Sequence, residues 1–127
     1  MTQSPRPTPA ELEILQVLWE AGPSTVRVIQ EVLERERKTG YTTVLKLLQI
    51  MTDKGLVTRD ETNRAHVYAP RLARGETQGQ IVGDLLERVF GGSAAKLVIN
   101  ALSVRKASRD DLAEIRRMLD RLEGGSR

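Results

Sequence analysis

The segment that decides the fold runs from Gly40 to Pro70 and reads GYTTVLKLLQIMTDKGLVTRDETNRAHVYAP. Gly40 is an acceptable N-cap residue, and Gly55 lies where a left-handed C-cap is favoured. Between them, apolar residues recur at the i, i+3, i+4 and i+7 spacing of one helix face, namely Val44, Leu47, Leu48 and Met51. The pattern therefore predicts a helix bounded by the two glycines.

The apolar period changes after Gly55. The runs LVTRD (56–60) and AHVYAP (65–70) are rich in strand-forming residues, and the polar run ETNRA (61–65) lies between their centres. Two short runs of this kind joined by a polar turn predict a β-hairpin, which Pro70 ends.

Two helices are predicted upstream, after a loose tail over residues 1–7. The segment TPAE (8–11) has a capping-box pattern with proline at the first helical position, and Gly22-Pro23 ends this helix. Ser24 is expected to cap a second helix that runs to about Arg37. Three closely linked helices followed by a hairpin form the order of a winged helix-turn-helix domain, which we assign to residues 8–70.

Helical patterns return in residues 71–123, as an apolar stripe that ends at Gly91-Gly92 and two helices that begin after Ser93 and Ser108. Helices with such narrow apolar stripes bury little surface alone, so we predict a helical dimerisation domain and a symmetric homodimer. The alternative is that these helices pack back onto the winged domain. The fold class is therefore mainly α, and the predicted dimerisation residues are Leu85, Leu86, Val89, Phe90, Leu112, Ile115, Leu119 and Leu122.

The third helix is expected to enter the major groove of DNA, where the full base code is exposed. Its first turn carries no acidic residue that would repel phosphate, and Thr42 and Thr43 offer short hydroxyls and methyl groups. Lys46 and Gln49 lie off the apolar face, where lysine can reach phosphate or guanine and glutamine can read adenine. The alternative is that Thr42 and Thr43 merely start the helix and that Lys46 is a solvated surface residue.

Three more residues are candidate DNA contacts outside the third helix. Arg59 on the first strand and Arg64 in the turn of the hairpin, the wing, are placed to meet phosphates or a minor groove. Ser24 could add a phosphate contact, although simple capping is the favoured alternative. The alternative for either arginine is that it is a solvated hairpin charge.

Composition excludes several functions. The chain of 127 residues has no cysteine and one histidine, His66, so the usual zinc site cannot form. A Ser-His-Asp site would have to use His66, and no serine lies in a nucleophile-elbow pattern. We predict no enzyme activity, no cofactor and no metal. No apolar run approaches the roughly 18 residues of a membrane span, and the N-terminus lacks a signal-peptide core, so we expect a cytoplasmic protein without membrane insertion.

The charge distribution leaves two hypotheses open. The net charge is +3, but residues 1–70 hold 9 basic against 9 acidic side chains. A local excess exists between Arg35 and Arg64, with 7 basic and 4 acidic residues. Sequence-specific DNA binding is the first hypothesis. The near-neutral first half supports the second, a protein-interaction adaptor that uses the winged-helix surface.

Four segments, LEILQVLWEAGPSTVRVIQEVL, YTTVLKLLQIMTDKGLVTRD, NRAHVYAP and LLERVFGGSAAKLVINAL, resemble in order and spacing the penicillinase-repressor family of winged-helix transcriptional regulators (the BlaI/MecI/CopY type). The resemblance covers roughly residues 8–122. It implies a homodimeric repressor that binds an inverted-repeat operator. In the family, positions that match Thr42, Thr43, Lys46 and Arg64 face the DNA.

The resemblance also bears on regulation. In the β-lactam-responsive members, which regulate antibiotic resistance, a membrane sensor protease triggers cleavage within the dimerisation domain, at a bond that would here join Asn100 and Ala101. Those members carry a bulky aromatic residue after the asparagine, where this chain has alanine. The copper-responsive members carry a cysteine pair that this chain lacks, so copper sensing through thiolates is not expected.

Overall fold

The computed structural model describes residues 6–124, so most of the tail expected over residues 1–7 lies outside the described residues. The mainly α fold with an early hairpin is confirmed. The elements in chain order are α1 (Pro9–Ala21), β1 (Ser24–Thr25), α2 (Val26–Glu34), α3 (Tyr41–Lys54), β2 (Val57–Asp60), β3 (Val67–Pro70), α4 (Arg74–Arg88), α5 (Ala94–Val104) and α6 (Arg109–Gly124).

The predicted boundaries of α1 and α3 are confirmed. At the start of α1, the Glu11 amide donates to the Thr8 hydroxyl, and the Thr8 amide donates back to the Glu11 carboxylate at 2.9 Å. Gly40 is the extended N-cap of α3. Gly55 ends that helix with φ of +79°, a left-handed conformation that glycine adopts without a Cβ penalty.

The predicted start of α2 is wrong. Thr25 is the N-cap, with its hydroxyl accepting the Val28 amide at 3.3 Å. Ser24 cannot take that place because it lies in β1, where it pairs with Tyr68 of β3. Its hydroxyl donates to the Gly22 carbonyl at 2.8 Å. Strand pairing therefore holds this segment extended for two residues before the helix begins.

The predicted end of α2, near Arg37, is also wrong, because the helix stops at Glu34. The Glu34 carboxylate accepts the Thr39 amide and the Gln30 side-chain amide, both at 3.0 Å. The Gln30 amide also donates to the Thr39 carbonyl at 3.0 Å. These bonds fold the chain back and set the approach to α3.

The hairpin of β2 and β3 is confirmed, and β1 extends it to a three-stranded antiparallel sheet of order β1-β3-β2. The register of the hairpin places Val57 opposite Pro70 and Arg59 opposite Tyr68. Strand β1 was not predicted.

Two compact units are present, the first ending at Ile81 and the second beginning at Val82. The hydrophobic core belongs to the first unit, where α1, α2, α3 and the sheet pack together. It consists of Ile14, Leu15, Val17, Leu18, Val26, Ile29, Val44, Leu48, Met51, Val57 and Tyr68.

The second unit has a different surface. Within residues 82–124 no side chain is buried, although α5 is mostly apolar. Val89, Ile99 and Val104 are 63%, 63% and 77% exposed. The helices of residues 6–124 do not include one of the length and apolarity that a membrane crossing requires.

Candidate nucleic-acid interface

One face of α3 is open to solvent along most of its length. Thr42, Lys46 and Gln49 follow the i, i+4 and i+7 spacing, so at about 100° per residue they share one side of the helix. Thr43 lies next to this side, and all four are exposed. The structure therefore brings the four predicted contact residues of α3 together on one surface, the reading face (Thr42, Thr43, Lys46 and Gln49).

The opposite face of α3 fixes the helix in the first unit. Val44, Leu48 and Met51 are fully buried, and Leu45 packs against the same core as a partly buried residue. Ile50 is 41% exposed and lies between Lys46 and Thr43 in the helical projection. Ile50 is therefore a candidate contact for a thymine methyl group. The apolar pattern of the sequence alone did not assign it to either face.

The N-terminal turn of α3 has free hydrogen-bonding capacity. Gly40 makes no side-chain cap bond, and the turn contains no acidic residue. The first intrahelical bond closes from the Val44 amide to the Gly40 carbonyl at 3.2 Å. The preceding backbone amides point out of the helix end, where the helix dipole favours an anion. Tyr41, 49% exposed, stands at this end and was not predicted as a contact.

The C-terminal end of α3 is held by two polar contacts. The Lys54 ammonium lies 2.7 Å from the Glu11 carboxylate, and this carboxylate is buried. The Arg71 guanidinium donates to the Gly55 carbonyl at 2.5 Å, just beyond the helix. These contacts tie α3 to α1 and to the segment after the hairpin, so the reading face has a rigid support.

The wing carries Arg59 and Arg64, both exposed. The Nε of Arg59 donates to the Glu61 carboxylate at 2.7 Å. Hydrogen bonding to the Tyr68 hydroxyl, followed by the nearby Glu61 carboxylate, raises the pKa of Arg59 above its ordinary value. Arg59 is therefore engaged within the wing. His66, the one histidine in the sequence, lies exposed just before β3 rather than within the strand.

The turn of the wing is closed by an aspartate. The Asp60 carboxylate accepts the amide and the hydroxyl of Thr62, at 2.9 Å and 2.5 Å. The hydroxyl bond, followed by the amide bond, lowers the pKa of Asp60 below its ordinary value. This Asx-type turn fixes the path of the chain before Arg64 without using Glu61.

Ser24 does not join the candidate interface. It is 6% exposed, and its hydroxyl is engaged with the Gly22 carbonyl. Because this hydroxyl is buried and already donates to a carbonyl, we leave Ser24 out of the proposed contact set.

The predicted dimerisation residues lie on the second unit. Leu85, Val89, Leu119 and Leu122 are exposed, whereas Leu86, Phe90, Leu112 and Ile115 are half-buried. An open apolar cleft of about 460 Å³ lies between α4 and α5 and is lined by Val82, Leu85, Phe90, Leu97, Asn100, Ala101 and Val104.

The bond expected for cleavage, Asn100–Ala101, lies inside α5. Both side chains are exposed, and the Asn100 amide donates to the Lys96 carbonyl one turn earlier, at 2.9 Å. Across residues 6–124, histidine, aspartate and glutamate side chains form no group of three that could hold a metal ion.

The sequence matches a known family over most of its length. The penicillinase repressor family model matches residues 7–121. The chain is 34% identical over 117 residues to the transcriptional regulator BlaI of Mycobacterium tuberculosis (strain CDC 1551 / Oshkosh), covering 91% of this chain and 83% of that protein. It is 26% identical over 124 residues to the penicillinase repressor of Bacillus licheniformis, covering 94% of each. These relatives are named as regulators or repressors rather than as enzymes.

A solved structure shows the same fold. The solution structure of Bacillus licheniformis BlaI, a monomeric form in complex with the blaP half-operator, matches with a TM-score of 0.51 and 22% identity. The match covers 60% of this chain and 93% of that chain. The likeness confirms a winged-helix fold for the matched part.

Proposed function

The chain belongs to the penicillinase repressor family, and from this premise we propose that it is a cytoplasmic, homodimeric transcriptional repressor that binds a palindromic operator. The reader would be the winged-helix domain, residues 8–70, and residues 71–123 would form the dimerisation domain. Bacillus licheniformis BlaI was solved as a monomeric form in complex with the blaP half-operator. The proposal is that this chain binds operator DNA in the same way.

The observation that carries the proposal is the reading face of α3. Four polar side chains stand exposed on a helix that is anchored on its other side by the fully buried Val44, Leu48 and Met51, so its polar face is held in place and free. A helix of this kind fits the major groove, where threonine, lysine and glutamine can contact phosphates and base edges. Arg64 would contact the backbone from the wing, and Ile50 would add an apolar contact.

Dimerisation is supported by the exposed apolar surface of the second unit. Residues 82–124 bury no side chain within one copy, and apolar residues such as Val89, Leu119 and Leu122 are more than half exposed. Large exposed apolar side chains in such number are typical of an interaction site. A second copy would cover it, and two-fold symmetry would match the symmetry of a palindromic operator.

DNA binding can be tested with a palindromic duplex selected from random oligonucleotides. Lys46→Ala and Arg64→Ala should each weaken binding at least several-fold in fluorescence anisotropy, because each removes a cationic contact. Lys96→Ala, which changes an exposed lysine of α5, is the matched control and should bind like the wild type. Affinity should fall steeply between about 50 and 200 mM salt. A flat salt response, or no duplex binding, would favour the adaptor function instead.

The dimer has its own test. Changing Ile115 and Leu119 together to aspartate places two charges among the predicted dimerisation residues of α6, and burying unpaired charges is costly. Light scattering should then report monomers, while circular dichroism should still report a folded first unit. A wild-type chain that is monomeric at micromolar concentration would exclude the homodimer.

We further propose that proteolysis at Asn100–Ala101, triggered by a membrane sensor protease, relieves repression. Cleavage would separate α6 from the rest of the chain and lower dimer affinity, and binding through two linked readers would fall with it. Immunoblots of the tagged chain from its own cells should show a shorter fragment after β-lactam exposure. A chain that stays intact while repression is lifted would rule out this mechanism.

A further inference from the structure

We propose that Glu61 limits the affinity of the wing for DNA by holding the Arg59 guanidinium in an ion pair that a phosphate must replace. The inference rests on the proposed DNA-binding function and adds a specific tuning residue to it. The tuned contact is the one between the wing and the sugar-phosphate backbone.

The geometry places an internal anion where a phosphate would bind. Arg59 Nε lies 2.7 Å from Glu61 Oε2, within the range of a charge-assisted hydrogen bond. Glu61 lies two positions after Arg59, just beyond the end of β2, and the turn brings its carboxylate back to the guanidinium. The Arg59 side chain is 33% exposed and that of Glu61 54% exposed, so the pair is open to a competing anion.

The pair is not needed to shape the wing. The turn is closed by Asp60 and Thr62, and the strands are joined by the backbone ladder of β2 and β3. Arg59 is also supported from the neighbouring strand, because it lies opposite Tyr68, whose hydroxyl favours the charged guanidinium. Loss of the Glu61 charge should therefore free the arginine without moving the strands.

The physical consequence is a changed salt dependence. A cation that binds phosphate normally releases one condensed counterion from DNA, which steepens the dependence of log K on log salt by about 0.9. Arg59 is already paired with Glu61. Replacing that carboxylate with a phosphate exchanges one anion for another, so Arg59 adds little to the salt dependence of binding in the wild type. Glu61→Gln removes the charge but keeps the size, so Arg59 should then contribute a full phosphate contact.

The test is a double-mutant cycle with the selected palindromic duplex and the full-length chain. Glu61→Gln should tighten binding about threefold to fivefold near 100 mM salt, the scale of an exposed ion pair, and steepen the salt slope by about one. The same change made on an Arg59→Ala background should alter affinity less than twofold. Glu31→Gln, which removes an exposed acid of α2, controls for net charge and should leave affinity unchanged.

Each other outcome is decisive. An equal gain from Glu61→Gln with and without Arg59 would mean general repulsion of DNA by the carboxylate, and would overturn the pairing. Unchanged or weaker binding by Glu61→Gln in the wild-type background would overturn it as well. A wild type that binds no duplex would overturn the proposed function together with this inference, whereas a binding wild type without the coupling would overturn the inference alone.

Discussion

The ion pair between Lys54 and Glu11 joins the end of α3 to the start of α1, and its two members differ in exposure. The side chain of Glu11 is 3% exposed and that of Lys54 is 27% exposed. We predict that Lys54→Met destabilises the first unit more than Glu11→Gln does. The reason is that the methionine variant leaves a carboxylate buried without its cation, whereas the glutamine variant leaves an ammonium that can still reach water.

The magnitudes follow from these exposures. Removing one partner of a buried ion pair costs about 3–5 kcal/mol. In Lys54→Met, Glu11 would keep its bond from the Thr8 amide. The loss in the free energy of unfolding should therefore lie near the lower end of this range, at about 3 kcal/mol. Glu11→Gln preserves an acceptor for that amide, and we expect about 1–2 kcal/mol. The double variant buries no unpaired charge and should be more stable than Lys54→Met alone.

Urea unfolding followed by Trp19 fluorescence measures these differences, since this single tryptophan donates to the Leu72 carbonyl within the first unit. All variants must be compared at one protein concentration, because dimerisation would add to apparent stability. Glu13→Gln is the matched control, because its pair with Arg37 is exposed on both sides and should contribute less than about 1 kcal/mol. A cost for Glu11→Gln that equals or exceeds that of Lys54→Met would refute the reasoning, and so would strict additivity in the double variant.

Three further predictions concern α3 and the wing. Gly55→Ala should lower the free energy of unfolding by about 1 kcal/mol in urea, because φ at this position is +79° and alanine is strained there. A clash should add nothing, since the new Cβ would meet only the Arg71 Nε, at an ordinary contact distance of 3.6 Å. Leu48→Ala should cost about 2–5 kcal/mol in the same assay, since Leu48 is fully buried; a loss below about 1 kcal/mol would contradict its core role. Thr62→Ala should raise the pKa of Asp60 toward its ordinary value in an NMR pH titration. The lowered pKa means that the wild-type turn is stabilised above pH of about 4 and loses this stabilisation on acidification, and an unchanged Asp60 titration would exclude the hydroxyl as its cause.

The helices were predictable from sequence because their signals are local. In α3, the apolar spacing, the terminal glycines and the lack of early acids all lie within one stretch of chain. Strand β1 has no such signal, since two residues cannot display a period. Its pairing partner, β3, lies more than 40 positions away at Tyr68 and Val67. The misplaced start of α2 follows from that one missed pairing.

The residues of the candidate site could be predicted where helix geometry alone groups them, and less well where contacts with other elements decide their role. Thr42, Lys46 and Gln49 share a face for any α-helix, so their grouping required only the helix boundaries. The engagement of Arg59 by Glu61 was missed, although two opposite charges two positions apart, where the first strand meets the turn, were a usable signal. The burial of Ser24 could not be read from sequence, since it depends on the third strand.

The two units differ in how they can respond to regulation. The first unit carries its own core, with residues such as Ile14, Val44 and Leu48 fully buried, so a lone copy should keep its reading face intact. The second unit buries no side chain in one copy, and its apolar surface should depend on a partner. If the proposed dimer links two readers, loss of the second unit would leave half-site binding but remove the gain from effective concentration, typically a factor of about 10² or more. A change confined to the second unit would then switch repression without altering any residue that contacts DNA.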